Sequence, residues 1–480
     1  MTDTPLHYQT ITDVAARIRS REISPVELTQ ALLDRIAALD GELKSYVTVM
    51  AEPAMAAART AEAEIAAGQY KGALHGVPIA VKDLCFTTGV ATMGGLQALR
   101  DFVPDFDGTV VRRLSDAGAV ILGKLNLTEG AMAGYNPSFD IPVNPWGADR
   151  WAGASSSGSG VATAAGLCYG SLGSDTGGSI RYPAAACGTV GIKPTWGRVS
   201  RYGVLALAES LDHVGPMTRS AADAGIMLQA LAGHDPNDPT SLHAPVPDML
   251  AGLGQGVQGI RIGVDERYIG DEVDAEVAEA VLAGARLLES MGAQLVAVQM
   301  PDTLPFSSAW GVLCSAEAAA GHRDTFPARA DDYGPWFRGW LEKGHRYSAA
   351  EFAAANQVRL ACNGILAGIF EDIDVLVCPS MMTPPGRVTP EELYGPMDED
   401  EWTWGRFHRP LRFQRRADDL AAGGIEQRGL AAEHPVHRQA PRRAAASASR
   451  RRLRAGDAAQ SAAGHLKIER KLIRQYSVQL

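Results

Sequence analysis

Several features of other protein classes are missing from this 480-residue sequence. No run of about 18 uncharged apolar residues occurs, which argues against a membrane-spanning helix. The first ten residues, MTDTPLHYQT, contain neither the basic nor the apolar region of a secretory signal. The six cysteines form no C-x-x-C pair, so neither a disulfide framework nor a zinc site is indicated. We therefore expect a cytoplasmic protein with reduced, mostly buried thiols.

The composition is that of a folded protein, but the charge is distributed unevenly. Apolar residues make up 46% and charged residues 21%, which is typical of globular chains long enough for one large α/β domain or two to three smaller ones. Residues 411–480 carry 15 basic and 6 acidic side chains, whereas residues 1–410 carry 30 and 49. This difference predicts a boundary near Pro410.

Helical and strand patterns alternate along the first 410 residues. Ser24-Pro25-Val26-Glu27 is typical of a capping box, in which the side chains of Ser24 and Glu27 cover free N–H groups. Short apolar runs bounded by turn residues predict buried strands, and strands that alternate with helices indicate a mostly parallel sheet covered on both faces. The expected strands are 77–81, 119–122, 260–264, 294–298 and 372–379, and the expected helices include 53–67, 109–117 and 274–291.

Residues Gly118–Lys124 spell the G-x-x-x-x-G-K of a phosphate-binding loop. However, Leu125 stands where a serine or threonine would bind magnesium. The predicted strand also lies between the two glycines instead of before them. We therefore interpret this motif as a coincidence without nucleotide binding.

From Gly153 to Ala184 the sequence reads GASSSGSGVATAAGLCYGSLGSDTGGSIRYPA, almost entirely glycine, serine and alanine. A flexible linker is disfavoured, because Val161–Leu167 is an Ala-rich run suited to a buried helix. Glycine inside a packed domain costs chain entropy unless the backbone must approach something closely. At Gly177-Gly178-Ser179 successive N–H groups would point into one cavity, and such a nest suits an anion or a developing oxyanion.

This stretch resembles the signature of the amidase signature family, with G-A-S-S-S-G at Gly153–Gly158 and D-T-G-G-S-I-R-Y-P-A at Asp175–Ala184. Other similar segments are VKD at 81–83, GKLNLTE at 123–129, NPW at 144–146, GTVGIKPTWGRVSRYGV at 188–204 and SLDHVGPMTRS at 210–220. The resemblance covers roughly residues 10–410. It implies one amidase signature domain over 1–410, with N-terminal helices in 1–70 and an α/β fold. The central sheet of that fold is mixed but mostly parallel, with helices on both faces.

The resemblance implies a Ser–cis-Ser–Lys triad made of Ser179, Ser155 and Lys82. Ser179 would be the acylated nucleophile and Lys82 would be the base. Ser155, held by a cis Ala154–Ser155 peptide, would relay the proton of Ser179. A lysine acts as a base near neutral pH only when it is neutral, and burial at the end of an apolar strand lowers its pKa. A serine hydroxyl is a weak nucleophile until a positioned base accepts its proton.

Further site residues follow from the same resemblance. The oxyanion hole would be formed by the backbone N–H groups of Thr176, Gly177, Gly178 and Ser179. The residues around the nucleophile would be Ser156, Asp175 and Arg181. The residues beside the acyl pocket would be Gly130, Ala131 and Met132. We expect Asp175 and Arg181 to pair and hold the loop.

His213 would suit a Ser–His site, but the resemblance gives that position no catalytic role, so we interpret it as structural. Ala154 and Ser157 replace two glycines that are more frequent in the family, and alanine at the cis position is sterically tolerable.

The expected activity is hydrolysis of a C–N amide bond, or of a carbamate or ester, through an acyl-enzyme on Ser179 without cofactor or metal. We expect a small-molecule linear amide as substrate, no membrane or nucleic-acid partner, and leave a homo-oligomer open. One alternative is the glutaminase-type A subunit of an aminoacyl-tRNA amidotransferase, and another is a catalytically inactive binding protein. The aromatic-rich segment 301–344 would line an aromatic-tolerant pocket or serve as plain packing.

Residues 411–480 depart from the family pattern. Instead of a buried strand with small residues and a proline, the chain has an Arg- and Ala-rich sequence without strand or helix periodicity. Such a sequence is typical of a GC-rich gene translated out of frame, so our hypothesis is a frame change near Leu411. The alternative is a basic extension that binds nucleic acid or an acidic partner. A one-base shift in the gene that restores a Gly-x-Pro segment and an apolar strand would support the frame change, and its absence would refute it.

Overall fold

The computed structural model describes residues 4–397 together with 407 and 408. The tail from 411 to 480, and with it the hypothesis of a frame change, lies outside the described residues. The helices are α1 (Ile11–Arg19), α2 (Pro25–Leu43), α3 (Ala51–Ala66), α4 (Thr109–Asp116), α5 (Ser157–Ala164), α6 (Arg181–Cys187), α7 (Ala221–Leu231), α8 (Glu266–Gly270), α9 (Ala275–Ser290), α10 (Leu304–Gly321), α11 (Pro335–Arg346), α12 (Ala349–Asp372) and α13 (Pro390–Tyr394). The strands are β1 (Tyr46–Val49), β2 (Pro78–Lys82), β3 (Val120–Leu125), β4 (Gly170–Ser174), β5 (Val190–Gly191), β6 (Val214–Thr218), β7 (Arg261–Val264), β8 (Gln294–Ala297) and β9 (Val375–Leu376).

Six strands form the central sheet in the order β1-β3-β2-β4-β6-β5. Strand β2 lies between β3 and β4 and runs parallel to both, while β1 and β6 are antiparallel to their neighbours β3 and β4. Because β5 is antiparallel to β6, it runs in the same direction as the three parallel strands. The expected fold class, a mixed but mostly parallel sheet with helices on both faces, is confirmed.

Two of the central strands have sequences that no strand pattern would select. Strand β4 reads GSLGS and β6 reads VGPMT, and glycine and proline are both poor strand formers. Both strands are fully buried and pair over their whole length. Their strand conformation is therefore set by burial and by pairing with neighbours, and the sequence-based prediction missed both.

A second sheet contains three parallel strands in the order β8-β7-β9. Strands β7 and β8, with α9 between them in the chain, form the expected βαβ unit. The predicted strand 372–379 was too long, because α12 continues to Asp372 and β9 contains only Val375 and Leu376. Arg261 donates to Asp374 at 2.9 Å and fixes the point where the chain enters the sheet. Pro379 has no N–H group with which to extend the pairing.

The N-terminal helices pack on the central sheet, and α2 begins as predicted at Pro25. The Ser24 hydroxyl oxygen accepts hydrogen bonds from the N–H groups of Val26 and Glu27. It donates its own proton to Glu62 of α3. The cap therefore also connects α2 to α3. The predicted capping box is only half formed, because the Ser24 side chain caps the helix but the Glu27 carboxylate does not accept the Ser24 N–H. Among the described residues, no helix is both long and apolar enough to span a membrane.

The G-x-x-x-x-G-K motif lies inside the core. Strand β3 begins after Gly118 and includes Gly123 and Lys124, and the Lys124 side chain is fully buried. Its Nζ donates to the carbonyl oxygen of Cys85 at 2.7 Å and to Thr92 Oγ1 at 2.6 Å, and it lies 3.3 Å from Asp83 Oδ1. These contacts occupy the amino group that a phosphate would need.

We predict that Gly118→Ala destabilises the protein more than Gly68→Ala does. The two glycines have nearly the same backbone conformation, with φ of +81° and +82°. A Cβ on Gly118 would stand 2.3 Å from the buried ring of His75, whereas one on Gly68 would have no described atom within 4 Å apart from its chain neighbours. Left-handed strain costs about 1–2 kcal/mol at either site, and overpacking adds about 1–3 kcal/mol at Gly118. Chemical denaturation of the two variants measures the difference, and equal losses would contradict this account.

Candidate active site

The amino group of Lys82 lies at the carboxyl end of β2 and is surrounded by serine hydroxyls. Its Nζ is 2.6 Å from Ser155 Oγ, 2.9 Å from Ser156 Oγ and 2.9 Å from Ser174 Oγ. Ser174 ends β4, the parallel neighbour of β2, so both strands deliver polar side chains to one edge of the sheet. In α/β sheets this carboxyl edge is where ligands bind.

Burial lowers the pKa of Lys82 from its usual 10.5 to about 7. The side chain is fully buried, and removing an ammonium group from water disfavours its charged form. Cys85, Asp175 and Asp212 oppose the shift with weaker Coulombic effects. At neutral pH a large fraction of Lys82 is therefore neutral and able to accept a proton.

Ser155 and Ser179 lie on adjacent loops that hydrogen-bond to each other. The Ala154–Ser155 peptide is cis, at the position where the family resemblance implies one. The N–H of Ser156 donates to the carbonyl oxygen of Ser179 at 3.2 Å, and Thr128 N–H donates to the carbonyl oxygen of Ser155 at 3.2 Å. The structure thus brings the three predicted triad residues to one place, with Ser179 7% exposed and the other two fully buried.

Ser156 connects the lysine to β4. Its hydroxyl oxygen accepts from Lys82 and from the N–H of Ser174, and it donates to the carbonyl oxygen of Ser174 at 3.2 Å. A Cβ on the neighbouring Gly173 would stand 2.9 Å from this oxygen, so glycine is needed there for the close approach. Sequence reasoning missed Ser174, although its place directly before Asp175 in the signature is a signal that could have found it.

Asp175 and Arg181 form a two-point ion pair inside the nucleophile loop. Arg181 Nε lies 3.0 Å from Asp175 Oδ2, and a terminal nitrogen lies 3.0 Å from Oδ1. The same carboxylate accepts the N–H groups of Gly178 at 3.2 Å and Ile180 at 3.1 Å. The Gly178 N–H is therefore engaged with Asp175, which corrects the expectation that it faces an oxyanion.

Three backbone N–H groups of the loop remain without a hydrogen-bond partner among the described residues: those of Thr176, Gly177 and Ser179. The Thr176 side chain is fixed separately, because its hydroxyl donates to Asp212 Oδ1 at 2.5 Å. Burial raises the pKa of Asp212 to about 6, although hydrogen bonds from Thr176 and two backbone N–H groups oppose the shift. Sequence reasoning missed Asp212, which directly precedes His213.

His213 supports the backbone of the same loop. Its Nδ1 lies 3.1 Å from the carbonyl oxygen of Asp175, and the two residues also exchange backbone hydrogen bonds. Because a carbonyl oxygen only accepts, Nδ1 is the donor. His408 packs nearby, with its ring 4.1 Å from that of Tyr182, and it donates to the carbonyl oxygen of Ser380 at 2.6 Å.

The segment Gly130–Met132, expected beside the acyl pocket, follows directly after Glu129 and is buried. Gly130 and Ala131 both adopt left-handed conformations, with φ of +58° and +61°. A Cβ on Gly130 would stand 2.3 Å from the ring of Phe337 in α11. The segment therefore packs directly against the aromatic helix.

Glu129 connects the same segment to the start of α11. Its carboxylate accepts from Asn136 Nδ2 at 2.7 Å and from the N–H of Gly334 at 2.9 Å. Burial raises the pKa of Glu129 to about 7, and these two hydrogen bonds and Arg338 oppose the shift. Sequence reasoning missed this role of Glu129, although the residue ends the GKLNLTE segment.

The aromatic residues of 301–344 form a buried layer next to the site. Trp310, Phe337 and Trp340 are at most 1% exposed, and this burial favours plain packing over pocket lining for these three residues. Tyr333 differs because it lines a cavity of about 470 Å³ together with Asn136, Gly334 and Arg338. None of the three triad residues lines this cavity.

The cysteines are unsuited to act as nucleophiles. All six are buried free thiols. Burial raises the pKa of Cys85 to about 12 and that of Cys168 to about 11, so both thiols are protonated at neutral pH. Within the described part of the chain, no group of three or more His, Cys, Asp or Glu side chains could hold a metal ion.

Comparisons with known proteins show the family to which the chain belongs. Residues 27–405 match the family model described as Amidase. The chain therefore belongs to the amidase family, whose members carry the amidase signature, and amide hydrolysis is its class of activity.

Curated relatives of two kinds are similar to the chain. It is 50% identical over 373 residues to the Mycobacterium tuberculosis protein named "Putative amidase AmiD", covering 77% of this chain and 78% of that protein. It is 40% identical over 414 residues to the A-type subunit of the glutamyl-tRNA(Gln) amidotransferase of Geobacter sp. (strain M21), covering 81% and 85%. A solved structure, described as a vestigial protein complex that reveals the origins of an s-triazine catabolic enzyme, superposes with a TM-score of 0.79 at 31% identity over 85% of this chain and 89% of that one.

We predict that Ser174→Ala shifts the pH dependence of serine reactivity to lower pH. In the parent protein, reaction with a fluorophosphonate should increase with pH through about 7 as Lys82 loses its proton. The Ser174 hydroxyl accepts a hydrogen bond from the ammonium form, so its removal should lower the midpoint by about one pH unit. The rate of labelling is measured between pH 5 and 9. Ser171→Ala is the control, because this buried serine of β4 contacts Thr163 and Ser159 instead of the lysine. An unchanged midpoint in Ser174→Ala would contradict the prediction.

Proposed function

We propose that this protein hydrolyses a small-molecule linear amide, with a carbamate or ester as related substrates, through an acyl-enzyme on Ser179. The observation that carries the proposal is the contact of the buried Lys82 amino group with Ser155 Oγ at 2.6 Å, in a setting that lowers the lysine pKa to about 7. A neutral lysine next to a serine hydroxyl is a base for that hydroxyl.

In the proposed reaction, Ser179 Oγ attacks the carbonyl carbon of the amide. Its proton passes to Ser155, whose own proton passes to Lys82 Nζ. The N–H groups of Thr176, Gly177 and Ser179 stabilise the negative charge that develops on the carbonyl oxygen. When the C–N bond breaks, the proton returns through Ser155 to the leaving amine. A water molecule then repeats the attack on the ester, which releases the acid and restores Ser179.

The catalytic unit of this proposal is residues 1–410, acting in the cytoplasm without a cofactor or metal. In this proposal the acyl pocket borders Gly130, Ala131 and Met132, and Gly130 lies against the ring of Phe337. The apolar side chains of Ala131 and Met132 and the adjoining aromatic ring favour an apolar acyl group. A homo-oligomer is compatible with this assignment.

Fluorophosphonate labelling tests the nucleophile. The intact mass of the parent protein should increase by one adduct, Ser179→Ala should gain none, and Lys82→Ala should react at least about 100-fold more slowly because its base is missing. Ser159→Ala is the matched control, since this buried serine of α5 donates to the carbonyl oxygen of Leu172 at 2.8 Å. A folded parent protein that gains no adduct, or an adduct that persists in Ser179→Ala, would refute the assignment.

The second candidate is the glutaminase subunit of an aminoacyl-tRNA amidotransferase, which the similarity to the Geobacter protein favours. This candidate uses the same nucleophile but requires partner subunits for full activity. Ammonia release from glutamine, measured with and without the other subunits of such a complex, distinguishes the two candidates. Hydrolysis of simple amides by the isolated chain, without glutamine hydrolysis, favours the first.

A further inference from the structure

One side chain from a distant part of the sequence holds the Thr176–Gly177 peptide. The indole N–H of Trp310 donates to the carbonyl oxygen of Thr176 at 2.7 Å. Trp310 lies on α10 and is 1% exposed. A Cβ on Gly177 would stand 2.7 Å from ring carbon Cζ2, so the loop lies directly on the indole. The contact is therefore both polar and apolar.

The hydrogen bond to a carbonyl oxygen also sets the direction of the next N–H. In a planar trans peptide, the C=O and the N–H of the same unit point in opposite directions. The bond from Trp310 to Thr176 C=O therefore directs the N–H of Gly177 away from the indole. That N–H has no hydrogen-bond partner among the described residues.

The two neighbouring donors are held in the same way. The carbonyl oxygen of Asp175 accepts from His213, which directs the Thr176 N–H to the other side. The carbonyl oxygen of Gly178 accepts from the N–H of Tyr182 at 2.6 Å, which similarly directs the Ser179 N–H. Each of the three N–H groups proposed for the oxyanion hole thus belongs to a peptide whose carbonyl oxygen is fixed by a hydrogen bond.

Of these three anchors, the one at Thr176 is the most dependent on a single side-chain atom. His213 bonds Asp175 with backbone and side chain together, and Tyr182 uses the backbone at the start of α6. The Thr176–Gly177 peptide ends in glycine, which offers little resistance to rotation. Without the indole N–H, this peptide is the one most free to turn its N–H away from the substrate.

We infer that Trp310 is a positioning residue for the oxyanion hole, whose indole N–H holds the Gly177 N–H toward the reacting carbonyl oxygen. The inference rests on the proposed function, because it presumes attack by Ser179. It assigns Trp310 an effect on the chemical step and little effect on binding of the ground state, since the substrate does not contact the indole N–H.

Trp310→Phe tests the inference, because it removes the N–H donor and keeps an aromatic ring. Reaction of a fluorophosphonate with Ser179 is resolved into its dissociation constant and its maximal rate. We expect the maximal rate to fall about 10- to 100-fold, and the dissociation constant to change less than about twofold. The expected decrease in rate does not exceed the decrease that follows removal of a whole oxyanion-hole donor.

Trp340→Phe is the matched control. Trp340 is fully buried in α11, its ring lies 5.9 Å from that of Trp310, and the substitution removes a similar amount of buried ring without touching the donor to Thr176. Its maximal rate should stay within about twofold of the parent rate. Equal losses in the two variants would assign the effect to packing and overturn the inference.

A shape-preserving variant covers the case in which Trp310→Phe does not fold. Benzothienylalanine at position 310 has the outline of tryptophan with sulfur in place of the N–H group. A slow maximal rate in this variant supports the inference, and a parent-like rate overturns it. If the parent protein itself gains no adduct on Ser179, the proposed function fails first and the role of Trp310 fails with it.

Discussion

The amino group of Lys82 is buried at the end of β2 with hydroxyl groups as its partners, and no described residue forms an ion pair with it. The carboxylate nearest in sequence, Asp83, instead lies 3.3 Å from Lys124 on the adjacent strand. A carboxylate next to Lys82 would favour the ammonium form, whereas hydroxyls leave burial as the largest effect on the pKa. The buried Asp83–Lys124 pair therefore leaves Lys82 without this carboxylate as a partner, which the proposed role of Lys82 as a base requires.

The parts of the site that come from continuous signature segments could be predicted from sequence. Lys82, Ser155 and Ser179 stand in three such segments, and the structure brings them together. The contact of Trp310 with the nucleophile loop could not be predicted, because Trp310 lies 131 positions after Ser179 in an aromatic-rich segment without a motif. This contact depends on how α10 packs on the loop, which is a property of tertiary structure alone. The engagement of the Gly178 N–H with Asp175 was likewise invisible, since a sequence pattern does not say which of four successive N–H groups points inward.

The fold was predictable where apolar residues form a continuous run or a helical period. The strands around 77–81 and 119–122 are of this kind, and so are the amphipathic helices. By contrast, β4 and β6 consist largely of glycine, serine and proline, and only burial between neighbouring strands makes them extended. Their small residues allow the close approach of Ser156 to Gly173. At this edge of the sheet, small residues therefore leave space for the serine hydroxyls around Lys82.

The hydrogen bonds of Glu129 have a consequence for how this protein could change its substrate during evolution. Its buried carboxylate fastens the connection between α10 and α11 to the loop that borders the proposed acyl pocket. The start of α11 and this loop are thereby joined by buried hydrogen bonds. An exchange of the aromatic segment 301–344 between relatives would carry Gly334 with it, and would keep this connection to the proposed acyl pocket only if the recipient supplies the carboxylate at position 129. Substrate range would then be inherited as a set of co-adapted residues.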